Sequence, residues 1–482
     1  MSEKRAAKKA AVNPKTPAAA PAIDPLALNA RQVTIILIVG FLFGLGVIYE
    51  WEPLNGLASI TKWEWPWQDL GILQMGLPML APFAAIACIL WLTDRPRPNI
   101  PVAVWLLSIV IASLGLQLIS VAADPRGLDR ITKIVASPDA TAYFTDASHI
   151  QNLADWMRRF EHANLTGHSF THPAGPILFY YAFIGMFGPE SGAFWGGCAV
   201  GLLASLGSVV MYFFAGLWTS DQRTRLVAAA FYTLIPALTV FFPELDQVYP
   251  ILSMLIILSF VRSLESESPW HLYALGLGAA AFVATFMAYN LVMLGVFLVY
   301  YAIYRLWIVA PGESSQLVNV VRTSALGIAV TAFLYAVLWL ATGYNIFAAF
   351  GHALSMQKLI AQKLARPYPV LVFTDLYDFV LASGIIAVPI LCFYLRTFRV
   401  TSLKDQKPIA LTLIGLATIL TVDISGLLRG ETARVWLFLQ PLIVIPVAIE
   451  LARIRLSWRL ALFAMQWWIL VLVKAKMSFI EP

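Results

Sequence analysis

Charged residues are scarce in this sequence. Asp, Glu, Lys and Arg make up 12% of its 482 residues, whereas a soluble domain carries about 25%. Only three cysteines occur, each inside an apolar run and none in a CxxC pair, which excludes a disulfide framework. The formal charge of +6 comes from basic residues scattered through short segments, so a continuous nucleic-acid-binding surface is excluded as well.

Apolar residues dominate what remains. Hydrophobic residues make up 60% of the chain, and the mean hydropathy is +0.75. A membrane span needs ~20 mostly apolar residues, and runs near that length predict an all-α, polytopic transmembrane helical bundle of about thirteen spans. The predicted spans are 33–49, 71–93, 101–121, 192–217, 226–243, 250–261, 272–288, 290–304, 324–341, 379–395, 409–422, 435–449 and 460–473.

The distribution of basic residues predicts the sides of the membrane. With the N-terminal tail inside, the inner segments carry more basic than acidic residues, and the outer segments show the reverse. The apolar run 177–187 is too short to cross the ~30 Å hydrocarbon core, and we predict a helix at the outer interface there. The unusual polar residues then collect on the outer, non-cytoplasmic face of an integral membrane protein.

The long outer loop carries the first candidate residues. In "SPDATAYFTDA", Asp139 fits either a general base on the rim of a membrane cavity or a helix N-cap. Asp146 lies two turns further along the same helical face and fits a second site carboxylate or a solvated side chain. In "THPAGP", His172 fits a residue that binds a phosphate or orients an acceptor, or a polar residue at the start of a helix. A metal site at His168 and His172 would need further ligands.

Later loops add further outer-face candidates. Glu244 and Asp246 in "PELDQVYP" fit contacts to sugar hydroxyls or caps of a helix terminus. Arg429 and Arg434 flank Glu431 in "RGETARVW", and they fit a phosphate clamp or interfacial anchors of a span. The tryptophans of "WEWPW" and "WW" are interpreted as interface-belt residues. The remaining candidates are Asn290, His352, Arg366 and Tyr368.

Together these motifs resemble GT-C membrane glycosyltransferases of the aminoarabinose-transferase and protein O-mannosyltransferase-like branch. Asp139 precedes a Tyr-Phe pair, and a His-Pro-Ala-Gly turn begins about thirty residues later at His172. The "FGPES", "SDQRTR" and "ELDQVYP" turns follow in order, and "GETARVWLFLQP" resembles a Gly-Glu-x-x-Arg-x-Trp span start in relatives of the actinobacterial type.

The resemblance covers roughly residues 101–450, which form the GT-C-like membrane core with its outer loop at 122–191. An extra span pair at 32–100 precedes this core, and 451–482 add a last span and the C-terminus. Residues 1–31, rich in Ala, Pro and Lys, are predicted to be a disordered cytoplasmic tail. The chain departs from the family pattern in its extra span pair and in the alanine that follows Asp139, where a second carboxylate often stands.

The resemblance implies an inverting transferase that moves a sugar from a polyprenyl-phosphate donor to a lipid, glycan or protein acceptor. Asp139 would deprotonate the acceptor, with Asp146 as its substitute, while Arg366, Arg429 or Arg434 would hold the phosphate. It implies no cofactor and leaves a divalent metal open. Membrane lipids are further expected partners, nucleic acid is not, and a prokaryotic plasma or inner membrane is the expected location.

Two other functions fit part of the pattern. A secondary transporter would place ionisable groups inside its spans, but the thirteen predicted spans contain no Asp, Glu, Lys or Arg. A ligase that moves a glycan from a polyprenyl diphosphate would use the same arginines, and it stays open.

Overall fold

A computed structural model describes residues 27–56, 64–94, 100–265, 268–309, 311–364, 367–368, 370–396, 398 and 403–480. Within these ranges the elements are helical, and one isolated β-bridge joins Trp67 to Met477.

The α-helices, in chain order, are α1 (Ala30–Ile48), α2 (Ile72–Thr93), α3 (Val102–Ala122), α4 (Asp129–Ala136), α5 (Tyr143–Ser148), α6 (Leu153–Arg158), α7 (Gly175–Ala215), α8 (Gln222–Tyr232), α9 (Ala237–Val240), α10 (Tyr249–Ser263), α11 (Trp270–Met287), α12 (Leu294–Tyr304), α13 (Ser314–Thr342), α14 (Ile346–Leu364), α15 (Val370–Ser383), α16 (Ala387–Leu395), α17 (Lys407–Ser425), α18 (Thr432–Val435), α19 (Gln440–Arg453) and α20 (Leu456–Lys476). Short 3₁₀ turns are Glu52–Leu54, Phe160–His162, Gly167–Thr171, Leu245–Val248, Tyr289–Met293 and Leu437–Leu439, and Arg305–Val309 is a π-helical turn.

Ten helical segments of the described chain are long and apolar enough to cross a membrane. They are α1, α2, α3, α7, α10, α11, α12, α13, α17 and α20, with α10 and α12 extended by adjoining turns. An eleventh candidate is the pair α15 and α16, which is bent by 100°. The all-helical membrane bundle is therefore confirmed, while the total of thirteen spans stays a prediction.

Two predicted spans, 226–243 and 435–449, are each divided into shorter helices. The first is divided between α8 and α9, with Pro236 between them, because proline cannot donate the backbone hydrogen bond that a helix interior needs. The second contains α19, whose 14 residues extend only about 21 Å. Both α8 and α19 are almost wholly buried, and they pack against each other. The centre of the bundle is therefore built from helices shorter than the bilayer is thick.

Helix α7 combines the predicted interfacial helix 177–187 with the predicted span 192–217. It is interrupted at Gly188, whose φ of 77° lies in the left-handed region, and Pro189 follows. The interruption falls where the sequence predicted a boundary, while the interfacial orientation of 177–187 stays a prediction.

Charged side chains mark the two ends of the bundle. At one end, Asp94 pairs with Arg459 at 2.9 Å. At the other end, Lys476 pairs with Glu50 at 3.2 Å and with Asp69 at 3.1 Å. The segment 123–174 folds over this second end, which we call the loop end.

Several helices carry buried ionisable side chains near or beyond the edges of the predicted spans. They are Asp375, Asp378, Asp423, Glu450 and Lys474. The predicted spans themselves contain no Asp, Glu, Lys or Arg, but the observed helices extend beyond these apolar runs and include the five side chains.

Candidate functional site at the loop end

Arg434 lies at the centre of a buried charged cluster. Its Nη1 donates to the two carboxylate oxygens of Glu244 at 3.1 and 3.0 Å, and its Nη2 donates to Glu431 at 2.5 Å. Asp246, also buried, interacts electrostatically with Arg434. We call Glu244, Asp246, Glu431 and Arg434 the Arg434 cluster. It joins loops that lie 190 positions apart in the sequence.

The Arg434 cluster holds three carboxylates against one guanidinium. Burial raises the pKa of Glu244 to about 8 against the attraction of Arg434, and repulsion from Asp246 adds to the rise. Burial would lower the pKa of Arg434, but the three carboxylates hold it well above its ordinary value. Near neutral pH the carboxylates of the cluster therefore keep Arg434 charged.

Helix α15 positions the turn that carries the cluster. Asp378 accepts a hydrogen bond from the backbone N–H of Ala433 at 2.8 Å and another from the Thr432 hydroxyl at 3.3 Å. Its other oxygen accepts from the indole N–H of Trp65. Each oxygen of this buried carboxylate therefore accepts at least one hydrogen bond within the protein.

A second carboxylate of α15 fixes the start of the same turn. Asp375 accepts a hydrogen bond from the backbone N–H of Gly430 at 3.0 Å. The next residue, Glu431, has a φ of 53°, in the left-handed region that non-glycine residues seldom adopt. Asp375 and Asp378 thus hold a strained turn whose side chains reach Arg434 and its partners.

Two histidines lie beside the cluster. His172 donates from Nδ1 to the carbonyl oxygen of His168 at 2.8 Å. Burial lowers the pKa of His172 to about 4, and it also lowers the pKa of His168, with Arg434 acting in the same direction on both. A neutral His172 with its Nδ1–H engaged keeps Nε2 as an unprotonated acceptor. Its ring meets the edge of Tyr143, with the ring centres 5.4 Å apart.

The glycine of the His-Pro-Ala-Gly turn allows a close backbone approach. A Cβ at Gly175 would lie 2.2 Å from the carbonyl oxygen of Phe286 at the end of α11. We expect Gly175→Ala to push α7 away from α11, to displace His172, and to destabilise the protein by about 1–3 kcal/mol. Gly185→Ala, whose Cβ would meet nothing within 4 Å, is the matched control. Thermal unfolding in detergent compares them, and equal Tm values would contradict the close approach.

Asp139 is exposed on the turn between α4 and α5. It does not cap α5, whose N-cap position is Ala142 and has no side-chain cap. The neighbouring Pro138 carbonyl lies 2.5 Å from where a Cβ of Gly167 would be, so this turn contacts the turn that carries His168. The role of Asp139 as a base stays a prediction.

Asp146 is buried, so its interpretation as a solvated side chain is wrong. It accepts hydrogen bonds from the Thr166 backbone N–H at 3.2 Å and from the Thr166 hydroxyl at 2.8 Å. These bonds tie α5 to the segment just before His168, which gives Asp146 a structural role in positioning the loop.

The remaining candidates are dispersed over the loop end. The Arg429 guanidinium lies 4.8 Å from the ring centre of Tyr368, whose hydroxyl donates to the Ile424 carbonyl at 2.7 Å. His352 is half-buried on α14, and Arg366 lies outside the described residues. In the part of the chain that the structure describes, no group of three or more His, Cys, Asp or Glu side chains could hold a metal ion.

An apolar cavity of about 1260 Å³ lies among α10 to α14. Val299 and Ile328, both exposed on the outer surface of the bundle, line its open side. Towards the loop end the lining becomes polar, with Tyr289, Tyr344 and Asn345. No sequence motif indicates this cavity, because the spacing between helices depends on their packing.

Asn290 connects the polar end of the cavity to the Arg434 cluster. It follows the lining residue Tyr289, and its side-chain amide donates to the Val435 carbonyl at 3.0 Å. Val435 directly follows Arg434, so the apolar cavity and the charged cluster meet at this point.

No family model matches this chain, and no curated protein matches it. The resemblance to GT-C glycosyltransferases therefore rests on the motifs alone.

Proposed function

We propose that this protein is a membrane glycosyltransferase that moves a sugar from a polyprenyl-phosphate donor to an acceptor at the loop end. The observation that carries the proposal is the junction, at Asn290, of a large apolar cavity with a buried charged cluster. A lipid-linked sugar has the same two parts, an apolar chain and a polar, charged head.

The cavity suits a long hydrocarbon chain. At about 1260 Å³ it exceeds the ~300–1,000 Å³ of most small-molecule pockets, and its lining contains no charged residue. Its open side faces the region where lipid chains lie, since Val299 and Ile328 are exposed there. A polyprenyl chain could enter from the bilayer without crossing a polar surface.

Two buried hydrogen-bond acceptors near the polar end of the cavity favour a sugar as the head group of the lipid. Asn290 Oδ1 and Glu161 Oε2 have no hydrogen-bond partner among the described residues. Glu161 interacts electrostatically with Tyr344, which lines the cavity. Unpaired buried acceptors cost about 1–3 kcal/mol each, and the hydroxyl groups of a sugar would supply the missing donors.

The transfer itself needs a base and a held phosphate. The acceptor hydroxyl attacks the anomeric carbon and passes its proton to Asp139, while the bond from that carbon to the phosphate oxygen breaks. The polyprenyl phosphate leaves with the electron pair, and the anomeric centre is inverted. Cations near the phosphate stabilise the negative charge that develops on it, and so lower the activation barrier of the transfer. We assign the phosphate contact first to Arg429, because its side chain is exposed at the loop end.

A bulky residue in the cavity tests the lipid-binding step. Ala336 on α13 lines the cavity, while its neighbour Val337 is exposed outside the lining. We expect Ala336→Trp to raise the KM for the lipid-linked donor by about tenfold, a loss of ~1.4 kcal/mol of binding, and to reduce copurified polyprenyl lipid. Val337→Trp should change neither quantity. Equal donor KM values in the two variants would contradict lipid binding in this cavity.

One observation favours a second function, secondary transport. Asp423 is buried in α17, and neither of its carboxylate oxygens has a hydrogen-bond partner in the described chain. An intramembrane carboxylate and a broken helix pair such as α15 and α16 are features of ion-coupled transporters. A pH gradient imposed on proteoliposomes would then drive a proton flux that Asp423→Asn abolishes, and absence of that flux removes this candidate.

A further inference from the structure

A second charged group lies at the loop end, where α3, α4 and α20 meet. Its members are Asp124, Arg126, Arg130 and Lys474. Arg126 donates to the two oxygens of Asp124 at 2.9 and 3.1 Å, and Arg130 pairs with the same carboxylate. Arg130 also donates to the Ile480 carbonyl at 3.3 Å. Arg130 is 2% exposed and Lys474 is 4% exposed.

This group carries more positive than negative charge. Two arginines and one lysine face one carboxylate, and Lys474 interacts electrostatically with all three other members. In the described residues Lys474 has no ion-pair partner, and the buried Arg130 Nε has no hydrogen-bond partner. Lys476, two positions further on the same helix, is paired with Glu50 and Asp69. Because an unpaired buried cation is costly, the missing partner of Lys474 points to an anion.

We infer that Asp124, Arg126, Arg130 and Lys474 form a binding site for the phosphate group of a membrane phospholipid. Guanidinium and ammonium groups together are the usual protein ligands of phosphate. The excess of positive charge matches an anion with one to two negative charges. This inference is independent of the proposed transfer reaction, which uses other residues.

A neighbouring groove identifies a lipid as the source of the phosphate. A small apolar cavity of about 260 Å³ lies between α2 and α20 and is lined by Leu73, Leu77 and Val471. Val471 lies one turn before Lys474 on the same face of α20. Leu73 and Leu77 are 74% and 63% exposed, so the groove is open to the bilayer. An acyl chain in this groove would place its phosphate at the end where Lys474 lies.

The test measures the thermal unfolding of the full-length protein, delipidated in a neutral, phosphate-free detergent. Phosphatidylglycerol should raise the Tm of the wild type by a few degrees, as expected for a ligand that binds only the folded state. Lys474→Met should lose this rise. Its Tm without lipid should equal or exceed that of the wild type, because the substitution removes an unpaired buried charge. Lys476→Met, the matched control, should keep the rise.

Three results would overturn the inference. If phosphatidylglycerol raises the Tm of the wild type and of Lys474→Met equally, the lipid does not bind at Lys474. If no added lipid changes the Tm of the wild type, the site binds no phospholipid. If inorganic phosphate alone raises the Tm of the wild type but not that of Lys474→Met, the group binds an anion. The inference that this anion is the phosphate of a phospholipid is then overturned.

Discussion

Replacing Arg434 by alanine is expected to destabilise the protein by about 3–5 kcal/mol and to abolish sugar transfer. The variant removes the counter-charge of the buried Glu244 and Asp246 and of the half-buried Glu431, and a buried charge that loses its partner is among the costliest changes in a protein. Thermal unfolding and a radiolabelled transfer assay on purified protein measure the two effects. A wild-type Tm in Arg434→Ala would contradict the account of the cluster.

Two further variants separate charge balance from donor binding. Glu244→Gln in the Arg434→Ala background removes one of the unpaired carboxylates, and we expect it to restore part of the lost Tm. Arg429→Ala changes an exposed side chain, so its stability should stay within about 0.5 kcal/mol of the wild type, while the KM for the donor rises. If the double variant is no more stable than Arg434→Ala, unpaired carboxylates are not the cause of the loss.

The Asp139→Asn variant is expected to lower kcat by about 10²–10⁴-fold without changing the Tm. The amide cannot accept the proton of the attacking hydroxyl, and the side chain is exposed and does not cap a helix, so stability should not depend on its charge. Asp155→Asn is the matched control, because Asp155 is an exposed carboxylate on the same loop, 3.7 Å from Arg158. Full activity in Asp139→Asn, or an equal loss in Asp155→Asn, would remove Asp139 as the base.

The bundle was predictable from sequence where a helix crosses the full hydrocarbon thickness. The apolar runs of α2 and α3, for example, reach the ~20 residues that a span needs, and both are confirmed as helices. The division of the predicted spans 226–243 and 435–449 into short, buried helices such as α8 and α19 was not predicted, because a protein interior and a lipid interior select the same apolar residues. Hydropathy cannot distinguish these two surroundings.

The candidate site was predicted in part. Sequence reasoning brought Glu244, Glu431 and Arg434 to one face of the membrane, and the structure joins them in one cluster. The supporting role of Asp378 was missed because this residue lies at the edge of an apolar run. Trp65 was interpreted as an interface-belt residue, but it is buried and donates to Asp378 across 313 positions of sequence. Such long-range pairs leave no local pattern in a single sequence.

The most direct test of the proposed function is mass spectrometry of the lipids that copurify with the wild-type protein and with Ala336→Trp in mild detergent. The account predicts a polyprenyl phosphate, with or without a single sugar, that is bound to the wild type and depleted from the variant. A polyprenyl diphosphate carrying a long glycan would instead identify a ligase. Bulk phospholipid alone, in equal amounts in both proteins, would contradict a lipid-linked sugar donor in the apolar cavity.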